Sequence, residues 1–156
     1  MTETQGTLGE VLEADHHAID AYFATYAASL DAGEVDREAL ASGLRALRHH
    51  IWVEEEYHFP PLRSAGLMGP ILVMLREHGE IWDLMDRIEA APEGPVAREA
   101  WARLRAVLEA HNMKEEHIVY PHGDEVLNDA DAADVRDALV NDTFPQGWVC
   151  AMAGRS

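Results

Sequence analysis

Two stretches of the chain repeat one polar pattern at a spacing suited to metal ligation. His50 to Pro60 reads HIWVEEEYHFP, and His111 to Pro121 reads HNMKEEHIVYP. Each copy runs His-x-x-x-Glu-Glu and closes on an aromatic residue and a proline. On an α-helix, residues i and i+4 lie one above the other, so His50 with Glu54, and His111 with Glu115, can each address one site. A single pair of this kind is usually a surface contact. Here each copy follows a further histidine at a similar distance: His16 precedes His50 by 34 residues, and His78 precedes His111 by 33. The chain therefore reads as a helix pair used twice. Imidazole and carboxylate together are good ligands for iron, so His16, His50, Glu54, His78, His111 and Glu115 are the expected ligands of a pair of ions.

The elements that must position these residues are helices. Apolar or special residues recur at alternating three- and four-residue spacing in four segments. They are Leu8, Leu12, His16, Ile19, Phe23, Tyr26, Leu30; then Leu40, Gly43, Leu47, His50, Glu54, Tyr57; then Ile71, Met74, His78, Ile81, Met85, Ile88; and Ala97, Trp101, Leu104, Leu108, His111, Glu115, Ile118. Breakers separate them: Gly33, Pro60-Pro61, Gly69-Pro70, Pro92 to Pro95, and Pro121 to Gly123. Asp36 is placed to cap the second helix. Short connections make neighbours antiparallel. The expected fold is all-α, an up-down-up-down four-helix bundle over about residues 7–121. A C-terminal extension, 122–156, would carry a short fifth helix from Asp129 to Asn141 and an irregular end. No strand pattern and no phosphate-binding glycine loop is visible.

All six candidate ligands fall on the core-facing stripes. Burying a polar group without a partner costs about 1–3 kcal/mol, and an unpaired charge far more. Six such groups converging in one bundle need a common partner, which two metal ions supply.

With 156 residues, one domain spanning 1–156 is expected. The formal net charge of −17 excludes nucleic acid and anionic membrane surfaces as partners. No apolar run approaches the roughly 20 residues of a membrane span. Met1 to Gly6 shows no secretory pattern, and Cys150, the single cysteine, forms no internal disulfide. A cytoplasmic location is expected.

Other chemistry-bearing residues have plainer readings. Tyr57 lies on the stripe of His50 and Glu54 and is a candidate additional ligand or catalytic group, set against a core tyrosine with a satisfied hydroxyl. Tyr22 and Tyr26 are weaker candidates of that kind. His17, His49, His58, His117 and His122 read as surface residues or supports, as do Glu55, Glu56 and Glu116. Trp52, Trp82 and Trp101 read as packing, with Trp82 placed to shield the open side of the centre.

The chain resembles the hemerythrin family, in its hemerythrin-like (HHE cation-binding) branch, over about Leu8 to Pro121. The residues that carry the resemblance are Asp15-His16, His50 with Glu54 before Phe59-Pro60, Glu77-His78, and His111 with Glu115 before Tyr120-Pro121. The resemblance implies a non-haem di-iron centre, Fe2+/Fe3+, with an oxo or hydroxo bridge. His16 and His50 would bind one iron, His78 and His111 the other, and Glu54 and Glu115 would bridge them. Oxygen-carrying hemerythrins have a further histidine four residues after the third-helix ligand, where this chain has Trp82. About one coordination position per six-coordinate iron is then open, which argues against simple reversible oxygen carriage.

Two adjacent irons suit small ligands such as H2O2, O2 or NO. The leading expectation is peroxide decomposition, catalase-like, with Tyr57 or a carboxylate relaying protons. The alternative is non-catalytic binding or sensing of O2, NO or iron. A zinc-bound or metal-free structural bundle is the third reading; zinc prefers four-coordinate sites, and a bridged His/Glu pair suits iron or manganese better.

Overall fold

The computed structural model describes residues 6–155. Apart from Gly6, the Met1 to Gly6 stretch read for a leader lies outside the described residues. Among the described residues all regular structure is helical.

Four rods surround the site. The first is α1 (Leu8–Ala32). The second is α2 (Arg37–Val53), which runs through a π-helical turn (Glu54–His58) into α3 (Phe59–Ser64). The third is α4 (Met68–Ala90). The fourth is α5 (Gly94–Lys114), continuing through a second π-helical turn (Glu115–Val119) into α6 (Tyr120–Val126). The short helix expected from Asp129 to Asn141 is α7 (Asp129–Val140), packed on α2 and the first π turn. The described residues after α7 form no regular structure.

Local chemistry explains the boundaries. Thr7 and Glu10 form a reciprocal capping box at the start of α1, an arrangement in which the cap alone contributes about 1 kcal/mol. Gly33 ends α1 at φ 82°, a left-handed position open to glycine. Asp36 caps α2 through Ala39 N–H, as expected. Pro60-Pro61 and Pro121, read from sequence as helix ends, do not end their rods. They sit in the first turn of α3 and α6, directly after a π turn, where a missing N–H and a fixed φ are tolerated.

The core has two apolar clusters with a polar layer between them. In α1, Leu12 belongs to one cluster and Ile19 to the other, with His16 between; in α4, His78 lies likewise between Met74 and Ile81. α1 packs chiefly on α2, and α4 on α5. The C-terminal segment lies against α4 at Gly79, where an added Cβ would meet Met152 O at 2.5 Å.

Candidate metal centre

The polar layer gathers all six expected ligands. His16, His50, Glu54, His78, His111 and Glu115 are each at most 2% exposed. Their ligand atoms fall into two sets, His16, His50, Glu54 and Glu115, and Glu54, His78, His111 and Glu115, with each set's atoms within 4.8 Å of one another. Both carboxylates belong to both sets. His16 Nε2 lies 3.1 Å from Glu115 Oε1, and His78 Nε2 lies 3.1 Å from Glu54 Oε1. His50 Nε2 and His111 Nε2 lie 3.3 Å from the carboxylates of Glu54 and Glu115, four residues on in their own rods.

The outer nitrogen of each of the cluster's four histidines is also held. Nδ1 of His50 donates to Asp15 Oδ2 at 2.7 Å, and Nδ1 of His111 to Glu77 Oε1 at 2.9 Å. Nδ1 of His16 donates to Glu116 Oε2 at 2.8 Å, and Nδ1 of His78 to Glu55 Oε2 at 2.7 Å. A carboxylate on Nδ1 fixes the tautomer, turns Nε2 to the centre and raises its basicity. The pattern crosses between rods. Asp15 adjoins His16 yet holds His50, and Glu116 adjoins Glu115 yet holds His16. A step of one residue turns about 100° around the helix, from the centre toward the neighbouring rod.

The π turns decide which side chains beyond each glutamate face the centre. Phe59 N–H bonds Glu54 O, and Tyr120 N–H bonds Glu115 O, each five residues back. In an uninterrupted α-helix, i+5 lies about 140° round from i. The wider turn returns it to the same face. Phe59 therefore stacks on His78, with ring centroids 5.4 Å apart, and Tyr120 lies beside His16 at 5.6 Å.

This displaces the residues expected on the stripe. Tyr57 is not brought to the centre; it is half-buried and packs edge-on against Trp52. Ile118, its counterpart, is 53% exposed. His58, read as a surface residue or a support, is buried, with Nδ1 unpartnered among the described residues, and Val119 is buried at the matching position of the repeat. His49 is also buried, where Nε2 donates to Ala138 O and ties α7 to α2. His17 and His117 are exposed as expected. Trp82 does not line the centre; it packs on Trp148, with the Arg48 guanidinium over its ring. Tyr22 is exposed, and the Tyr26 hydroxyl donates to Pro92 O.

The tyrosine of the centre is Tyr120. Its hydroxyl donates to Glu54 Oε2 at 2.7 Å and lies 3.0 Å from Glu115 Oε1. It is also within 3.0 Å of His16 Nε2 and 3.2 Å of His50 Nε2. The other half of the repeat has Phe59 here, so the two halves differ by one hydroxyl. A signal did exist in the sequence: both copies place an aromatic residue five positions after the glutamate and directly before proline.

Electrostatics show a layer in need of cations. Burial opposes charging of His111, but the Glu115 carboxylate and hydrogen bonds to Glu115 and Glu77 outweigh it and raise its pKa to about 10. His50 and His78 are raised for the same kind of reason, burial again being overcome by carboxylate neighbours. Burial and the nearby Glu115 push Glu54 up, yet His50 and His78 bring it below its usual value. Glu115 is held well below its usual value, since His111 and His16 outweigh its burial. Burial, with Glu115 and Glu54 close by, drives Tyr120 well above 10, so its hydroxyl keeps its proton. Glu115 Oε2 is buried and, among the described residues, makes no well-formed hydrogen bond; His111 Nε2 lies 3.3 Å from it. Without metal, the raised His50, His78 and His111 offset the two carboxylates; cations fit this donor set in their place and can engage that oxygen.

Fold and site together define an all-helical domain built around a buried His/Glu cluster able to hold metal ions. A family model described as the hemerythrin HHE cation binding domain matches residues 7–140. The chain belongs to that family, and the match extends past Pro121 through α7. No curated protein and no solved structure matches it. No helix among the described residues is long and apolar enough to cross a membrane.

Proposed function

We propose that the cluster holds two adjacent iron ions, one between His16 and His50 and one between His78 and His111, bridged by Glu54 and Glu115. We further propose that the centre handles small oxygen species, hydrogen peroxide decomposition foremost. The observation that carries this reading is the sharing of both carboxylates by two interlocked four-ligand sets. Imidazole with bridging carboxylate suits iron, whereas zinc prefers closed four-coordinate sites. When bound, such a pair takes up and returns two electrons together, which matches conversion of two H2O2 to one O2 and two H2O.

The chain's own groups have defined parts in this. Asp15, Glu55, Glu77 and Glu116 orient the imidazoles. Leu47, Ile51, Ile81 and Leu108 line the gap around the cluster and keep bulk water out. Tyr120 holds a proton on its hydroxyl beside Glu54, ready for transfer to a departing oxygen. The reading takes the four rods as an up-down-up-down bundle in one domain of the cytoplasm. Steady oxygen release from H2O2 by iron-loaded protein, above that of equal free iron, supports it. Release no greater than that of free iron rules the reaction out.

One contact favours a second reading, reversible binding of O2, NO or iron without turnover. Glu55 holds His78 through Oε2 and accepts Ala151 N–H on Oε1 at 3.0 Å. A shift of His78 on ligand binding is thereby passed to the C-terminal segment. A stable spectral change on adding ligand, with no ligand consumed, separates this from turnover.

A further inference from the structure

A surface groove of about 640 Å³ runs between α1 and α5, lined in part by Phe23, Ala24, Trp101 and Glu116. Leu108 and Asn112, also in its lining, line the gap around the ligand cluster as well. One layer of side chains therefore separates solvent from the centre. Two other grooves, about 580 Å³ each, share no lining residue with that gap.

The wall has an unusual component. Asn112 Oδ1 is buried and has no hydrogen-bond partner among the described residues. Buried polar atoms are nearly always satisfied, so an orphan at a partition calls for a visiting partner. A side-chain amide offers both an acceptor and donors. Hydrogen peroxide can use both; O2 and NO are poor hydrogen-bonding partners.

The two halves of the centre also differ in cover. The side chain of Glu55, which holds His78, is 4% exposed and accepts Ala151 N–H. Glu116, which holds His16, is 21% exposed and lies in the groove. The groove wall carries Asp20, Glu109 and Glu116 against Arg105, a balance that disfavours anions.

We propose that this groove is the path by which small uncharged ligands reach the centre, and that Asn112 is its specificity-determining gate, passing hydrogen peroxide by hydrogen bonding from its amide. The inference rests on the di-iron reading for its ligand but not for its path. Leu108 supplies the apolar side of the gate, and Asn112, one residue after His111, moves with a ligand of the cluster.

Two arms test it. In crystals of the full chain as purified, held under xenon, density is expected in the groove against Leu108, and its loss is expected in Ala24→Trp, which fills the groove from an exposed position. In stopped-flow experiments on the iron-loaded protein, Ala24→Trp slows reaction with H2O2 and NO together. Thr143→Trp, in a groove not joined to the centre, slows neither. Asn112→Leu slows H2O2 by about tenfold, the scale of one hydrogen bond, with NO little changed. Absence of xenon from the groove, with both rates unaltered in Ala24→Trp, overturns the path. Equal slowing of H2O2 and NO in Asn112→Leu overturns the gate. Should the wild-type chain bind no iron, the di-iron reading fails and the xenon arm alone decides the path.

Discussion

Replacing Tyr120 by phenylalanine removes one oxygen from the middle of the polar layer and leaves the ring in place. The other half of the repeat already carries Phe59 at this position, so the change creates no void beyond the hydroxyl. What it removes is the 2.7 Å donor to Glu54 Oε2. Among the described residues, the contact left to that oxygen is His50 Nε2 at 3.3 Å. A buried hydrogen bond to a charged group contributes about 1.5–3 kcal/mol. For a chain of this size each kcal/mol moves the melting temperature by roughly 2–4 °C, so metal-free Tyr120→Phe should melt about 3–12 °C below the metal-free wild type. On the proposed ligation, bound metal takes over this carboxylate, and in the metal-loaded protein the same substitution should cost clearly less. Thermal unfolding of both proteins, each with and without metal, measures the difference. Equal losses in the two forms, or none in the metal-free form, would refute the placement of Tyr120 at the ligand atoms.

The same geometry yields further outcomes. Glu54→Gln or Glu115→Gln should remove both ions together, because each carboxylate serves both sets; elemental analysis showing one ion retained would argue against bridging. Glu55→Ala should weaken metal binding by about 10–100-fold, as expected for a carboxylate that orients a ligating imidazole. Ala151→Pro, which deletes the N–H that Glu55 accepts, should shift the affinity in the same direction by less; competitive chelator titration compares the two. The metal-free protein should be most stable between about pH 4.5 and 6.5. The raised histidines contribute fully below their unfolded value of 6.5, and that stability is lost as pH climbs toward about 10 for His111. The lowered Glu54 and Glu115 contribute above about 4.5 and lose that stability as pH falls. Metal displaces the same protons, so affinity should tighten with rising pH; denaturation and metal titration across this range check both signs.

The ligand set is legible in the sequence because it depends on α-helical spacing upstream of the glutamates. From His50 to Glu54, and from His111 to Glu115, the rods are ordinary α-helix, and i+4 geometry holds. Beyond each glutamate the π turn adds a residue, and every later side chain is displaced by about 100°. Straight α-helical spacing therefore points Tyr57 and Ile118 inward beside His58 and Val119, whereas the π turn brings in Phe59 and Tyr120 and turns Tyr57 and Ile118 away. The carboxylates on Nδ1 are hidden for another reason: each adjoins one ligand in sequence but serves a different rod, and only tertiary packing pairs them. The contact of Ala151 with Glu55 joins residues 96 positions apart and leaves no periodic trace.

The most direct test of the account is anomalous X-ray diffraction at the iron edge on crystals of the protein purified without added metal. Two peaks are predicted, one about 2 Å from Nε2 of His16 and His50 and the other about 2 Å from Nε2 of His78 and His111, both reached by Glu54 and Glu115. A single peak, no peak, or iron bound away from these six side chains would contradict it.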